Sequence, residues 1–108
     1  MPVQEITTSG YNPPSNWTGV VYFHNKQCGA CVGMKSQIDW VAENHPEIAI
    51  LACDTMHPAG MPISATYRIT ATPTLIFIKQ GQPVGSEIGG VPAQRIVQLY
   101  QQYLANPQ

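Results

Sequence analysis

The chain has 108 residues, 44% of them apolar, and a formal net charge of −1. That length and apolar content suit one small domain with one packed core and exclude wholesale disorder. The near-neutral charge gives no electrostatic basis for binding nucleic acid or an acidic membrane surface, and no apolar run reaches the length of a membrane span. Only 10% of the residues are charged, so neutral polar groups, glutamine above all, are expected to cover much of the surface. No basic segment followed by an apolar stretch stands at the N-terminus, so no secretory signal is read and a cytoplasmic location is the expectation.

In chain order, residues 1–18 are polar and interrupted by Pro2, Pro13 and Pro14. Val3 to Thr8 reads as an edge strand, while Asn12-Pro13-Pro14-Ser15 excludes a helix interior. The spacing then predicts a core over 19–104, giving a single domain over 1–108. Gly19 to His24 reads as a buried strand. From Cys28 to Asn44, apolar residues at Cys31, Met34, Ile38, Val41 and Ala42 form a helical stripe that Pro46 ends. Ile48 to Cys53 is a second buried strand, so strand, helix and strand make a parallel βαβ unit. Asp54 to Pro62 is a loop in which Met56 and Met61 are expected to pack over the core. Ser64 to Arg68 reads as a short helix. Thr74 to Lys79, the turn Gln80-Gly81-Gln82 and Val84 to Ile88 read as a hairpin. Gly89-Gly90 breaks the chain, and Pro92 suits the first turn of a last helix with Ile96, Leu99, Tyr100, Tyr103 and Leu104 on its apolar face. The order predicts an α/β sandwich.

The chemistry is concentrated in Cys28-Gly29-Ala30-Cys31, placed where the first buried strand gives way to a helix. A thiol at a helix start faces unpaired backbone N–H groups and the positive end of the helix dipole. Both stabilise the thiolate, which is the reactive form in disulfide exchange. A cysteine three residues on lies one turn along and can close a small disulfide ring with the first. Gly29 and Ala30 are small and leave the Cys28 sulfur open. Three cysteines in this arrangement do not make a disulfide scaffold. Three readings stand side by side: a redox pair, two ordinary buried cysteines, and part of a metal or iron–sulfur site. A zinc site needs four ligands; His24, Cys53 and His57 are the candidates, and they lack the usual spacing, so no metal is expected. Cys53 ends the second strand and reads as a small core residue.

Taken together, these features resemble the thioredoxin family. The CxxC follows the first buried strand; Ala71-Thr72-Pro73-Thr74 resembles the family's cis-proline loop; Lys79-Gln80-Gly81 and Gly89-Gly90 follow in the family's order, across roughly residues 19–104. The resemblance implies a central mixed β-sheet flanked by helices, with a reduced N-terminal extension. It further implies a thiol–disulfide oxidoreductase acting on protein disulfides, with an upstream reductase as partner, a monomeric state, and no cofactor beyond the Cys28–Cys31 disulfide itself. It makes Cys28 the attacking thiol and Cys31 the resolving thiol. It also implies a cis Thr72–Pro73 bond facing Cys28, with the Thr72 backbone open to an extended substrate, and Gly89 and Gly90 allowing close approach from the other side. A redox-silent peptide-binding module of the same fold is the alternative.

The chain also departs from the family. Gln27 and His24 stand where it commonly has tryptophans. Tyr22 occupies the place of its buried aspartate, Ile50 that of the aspartate's lysine partner, and Ser36 that of a helix proline. General-acid help for Cys31 is therefore missing, and His24, an imidazole that can titrate near neutrality, is the candidate for proton transfer.

Overall fold

Side-chain alternation along apolar strands decides how the chain layers. The computed structural model describes residues 3–105. Its strands are β1 (Gln4–Glu5), β2 (Gly19–His24), β3 (Ile50–Asp54), β4 (Thr74–Lys79) and β5 (Gln82–Ile88). The helices are α1 (Gly29–Asn44), α2 (Met61–Thr66) and α3 (Ala93–Tyr100), the last continued by a wider π-type turn over Gln101–Ala105. The strands form one five-stranded sheet in the order β1-β3-β2-β4-β5. β1 and β2 lie parallel to β3, β4 runs antiparallel to β2, and β5 antiparallel to β4.

Successive side chains of a strand point to opposite faces. Tyr22, Ile50, Ala52, Leu75 and Phe77 therefore share one face and pack with Met34, Ile38 and Val41 of α1 and Ile96 and Leu99 of α3. Val21, Phe23, Leu51, Cys53, Ile76 and Ile78 share the other and pack with Ile6 and with Ile63 of α2. Helices on both faces explain why the central strands read as continuous apolar runs rather than alternating ones. The architecture is the α/β sandwich with a mixed sheet that the resemblance implied.

Several boundaries differ from the sequence expectation. The Val3–Thr8 segment pairs as a strand only over Gln4–Glu5, and Ile6 N–H then donates to the Ala52 carbonyl at 2.9 Å. The second buried strand begins at Ile50 rather than Ile48. The short helix begins at Met61 rather than Ser64, because Pro62 falls in its first turn, where a missing N–H costs nothing. Pro92 stands just before α3 as its N-cap. The hairpin is tighter than expected: Lys79 pairs directly with Gln82, so the turn is Gln80-Gly81. Both turn residues have positive φ, 51° and 79°, as a two-residue turn that matches strand twist requires. Met56 and Met61 do not pack over the core; each is about half exposed.

Candidate active site

The parallel pairing of β2 with β3 and the antiparallel pairing of β2 with β4 bring three chain segments to one end of the sheet. His24 at the end of β2 lies beside Asp54 at the end of β3, and Phe23 lies beside Thr74 at the start of β4. The CxxC segment, Thr55 and the Thr72–Pro73 segment therefore meet there.

Cys28 is the N-cap of α1, with extended backbone at φ −100° and ψ 105°. Its Sγ accepts the Cys31 backbone N–H at 3.1 Å, which satisfies one of the otherwise unpaired donors at the helix start. It is bonded to Cys31, with Cα atoms 5.3 Å apart. No acidic residue sits in the first turn of α1, so the helix places no local negative charge against a thiolate at Cys28. The two sulfurs differ in access: Cys31 is buried, Cys28 is half-buried, and Gly29 and Ala30 between them are exposed. α1 runs unbroken past Ser36, whose hydroxyl donates to the Gly33 carbonyl at 2.9 Å. It stops at His45 because the residue before a proline, here Pro46, disfavours helical backbone.

The structure gathers the predicted residues into two neighbouring groups. Cys28, Cys31 and His24 line one cleft of about 580 Å³ between α1 and the sheet, together with Glu5, Lys26, Lys35, Asp39 and Glu43. Thr72, Pro73 and Gly89 form the second group: the Thr72–Pro73 peptide bond is cis, and Gly89 N–H donates to the Pro73 carbonyl at 2.8 Å. Gly89 takes φ +99°, which glycine adopts without a Cβ penalty. Gly90 is exposed and follows it out of the sheet. Two apolar side chains stand open beside these groups, Val32 of α1 at 79% exposure and Ile88 of β5 at 66%.

Sequence reasoning missed Glu5 and read Tyr22 only as standing in the place of the family's aspartate; both shape the first group. Glu5 Oε2 on the edge strand meets His24 Nε2 at 3.1 Å. Tyr22 stacks on His24 with ring centroids 5.0 Å apart, and its hydroxyl donates to the Cys31 carbonyl at 3.4 Å. Burial pushes the Tyr22 phenol up to about 12, and the nearby carboxylates of Glu5 and Asp39 push in the same direction. Tyr22 therefore stays protonated and works as a hydrogen-bond donor. Ile50, like Tyr22, is part of the packed face toward α1. The signal for Glu5 was present in the reading of an edge strand, but only the register of β1 on β3 brings it to His24.

Cys53 is fully buried, and its thiol donates to the Gly60 carbonyl at 3.4 Å. Burial pushes the Cys53 thiol up and makes it a weaker acid, outweighing the contact with Ser64 that acts the other way. In the reduced native protein, iodoacetamide near neutral pH should label Cys28 before Cys31 and leave Cys53 unmodified, whereas denatured protein should react at all three. Peptide mass spectrometry reads this directly. Early labelling of Cys53 would show that the packing around Ser64 opens readily.

Comparison with known proteins agrees with this geometry. A family model described as Thioredoxin matches residues 11–102. A thioredoxin of Pyropia yezoensis is 27% identical over 108 residues, covering 97% of this chain and 100% of that protein. A thioredoxin-like protein of Synechocystis is 32% identical over 87 residues, covering 79% of this chain and 80% of its own. The crystal structure of reduced Schistosoma mansoni thioredoxin pre-protein superposes with a TM-score of 0.81 at 21% identity, covering 96% of this chain and 100% of that one, and so shares the fold. With a matching family model over most of its length and a disulfide-capable CxxC at the start of α1, this chain belongs to the thioredoxin family.

Proposed function

We propose that this chain is a thiol–disulfide oxidoreductase that exchanges disulfides with protein substrates through Cys28 and Cys31. The observation that carries the reading is the position of Cys28. Its sulfur caps α1, accepts the Cys31 N–H, and stays accessible while the sulfur it is bonded to is buried. In the reduced protein the Cys28 thiolate attacks one sulfur of a substrate disulfide. That S–S bond breaks, the far substrate sulfur leaves as a thiolate and takes a proton, and a mixed disulfide forms on Cys28. Cys31 then gives up its proton, and its thiolate attacks the Cys28 sulfur. The second substrate sulfur leaves, and the Cys28–Cys31 disulfide remains. Two electrons have passed to the substrate, and an upstream reductase or a small dithiol returns them. The electrons are held by the cysteine pair itself, so the cycle needs no further cofactor. Val32 and Ile88 supply apolar contact for the substrate chain, and the Thr72 backbone offers it pairing partners.

Cys31 must lose its proton beside Tyr22, whose phenol stays protonated, and among the described residues no carboxylate is buried in the packed face. His24 takes this role, oriented by Glu5 and by its stack on Tyr22. The other titratable groups of the cleft are Lys26, Lys35, Asp39 and Glu43, and Asp39 is bound to Lys35 at 2.7 Å. Reduction of insulin disulfides by dithiothreitol tests the reading. Wild-type protein should accelerate it, and turnover should rise with pH. His24→Ala should slow turnover near neutrality, and the deficit should shrink above about pH 8.5, where an ordinary thiol ionises unaided. A deficit of equal size at every pH would leave His24 a packing role only. Absence of any acceleration by wild-type protein would instead favour the peptide-binding module.

A further inference from the structure

We infer that Asn25 is a positioning residue for exchange with protein substrates: its amide clamps the Cys28 loop to the Thr72–Pro73 loop. The inference rests on the oxidoreductase reading above and names the residue that aligns its two halves. Asn25 leaves the end of β2 and is half-buried. Its Nδ2 donates to Thr55 Oγ1 at 3.0 Å and to Thr72 Oγ1 at 3.4 Å. Its Oδ1 accepts the Gln27 backbone N–H at 2.9 Å. Its own carbonyl accepts the Cys28 backbone N–H at 3.4 Å.

A carboxamide carries two N–H donors and one carbonyl acceptor, and here each has a partner on a different segment. The segments are the loop that leads into α1, the residue after β3, and the residue before Pro73. Sheet pairing brings these segments to one edge, where Thr55 N–H also donates to the His24 carbonyl at 2.8 Å. Asn25 adds the side-chain link from the loop before α1 to both Thr55 and Thr72. It also lines both clefts at this edge, the larger one that holds Cys28 and a smaller one of about 160 Å³ bordered by Thr55, Thr70 and Thr72.

The consequence depends on the size of the substrate. A protein disulfide must present one sulfur to Cys28 while its backbone lies along Thr72, so a shift between the two loops misaligns the attack. A small disulfide touches only the sulfur and is insensitive to that shift. Asn25 therefore sets a ratio of rates, protein over small disulfide.

The test compares insulin with dithiobis-nitrobenzoate as oxidants of the reduced protein, at a temperature well below unfolding. For Asn25→Ala, kcat/KM for insulin should fall by about tenfold while the rate with the small disulfide changes by less than about twofold. Asn25→Asp provides the rescue. A carboxylate can accept from both threonine hydroxyls and from Gln27 N–H, so the rate ratio should return toward wild type even where its charge slows both reactions. Thr72→Val removes one arm of the clamp without touching the loop before Cys28. It should shift the ratio in the same direction, and should add little when combined with Asn25→Ala. This variant decides the matter if Asn25→Ala does not fold. A lowered Tm with an unchanged ratio in both variants would make Asn25 merely structural and overturn the clamp. An aspartate variant whose ratio stays as low as that of Asn25→Ala would also overturn it. Wild-type protein inert toward both oxidants would remove the oxidoreductase reading itself, and the clamp's role with it.

Discussion

Cys28→Ser should reduce insulin-disulfide reduction to the rate of dithiothreitol alone, while Cys31→Ser should react once and then hold its substrate. The two sulfurs share a disulfide but not an environment. Cys28 caps α1 and is reachable; Cys31 lies behind it, buried at 7% exposure against the sheet. The attacking species is the thiolate, and a serine hydroxyl at the same place is not ionised near neutrality, so the first variant cannot start the cycle. The second can start it, because the Cys28 thiolate and the helix start are intact. It cannot finish, because no sulfur remains to displace the second half of the substrate. Incubating Cys31→Ser with insulin should therefore give a single covalent adduct on Cys28, visible by intact-mass measurement and released by dithiothreitol. An adduct on Cys53, or equal trapping by Cys28→Ser, would reverse the assignment of roles.

Phe77→Ala should destabilise the domain by about 3–5 kcal/mol, through lost burial and the cavity left behind. Phe77 is fully buried on β4, opposite Val20 of β2 and Gly85 of β5. Its ring meets that of Tyr103 with centroids 5.3 Å apart, which joins the sheet to the turn that follows α3. Native domains have only about 5–15 kcal/mol of stability in total, so the loss is a large share. It should lower Tm by roughly 12–40 °C, at about 4–8 °C per kcal/mol for a domain near this size. Ile88→Ala, on an exposed site of β5, is the control and should stay within about 0.5 kcal/mol of wild type. Denaturant unfolding of the oxidised proteins measures both. A cost for Phe77→Ala no larger than that of Ile88→Ala would mean that the face beneath α3 is not closely packed.

The parts legible in the sequence are those decided by neighbours along the chain. The apolar runs of β2, β3 and β4 announce strands covered on both faces. The stripe from Cys31 to Ala42 announces α1, and Pro46 its end. The position of Cys28 as a helix cap follows from a strand ending a few residues earlier. Boundaries were less legible where a proline or glycine allowed two solutions. Pro62 inside the first turn of α2 and the direct pairing of Lys79 with Gln82 are such cases. Met56 and Met61 read as core by type, yet both stand half exposed on the surface.

By itself, the amino-acid sequence determined the layered α/β class and the redox-capable pair at the start of a helix, both matters of residue type and short spacing. The resemblance to the family added that Tyr22 and Ile50 stand in the places of its carboxylate and lysine. The tertiary structure alone decided what surrounds the pair. Glu5 meets His24 across 19 residues of sequence, and Asn25 meets Thr55 and Thr72 across 30 and 47. Such contacts depend on strand order and register, and a one-residue slip would turn every side chain to the other face. The hydrogen bonds that connect these groups exist only once five strands have chosen their neighbours.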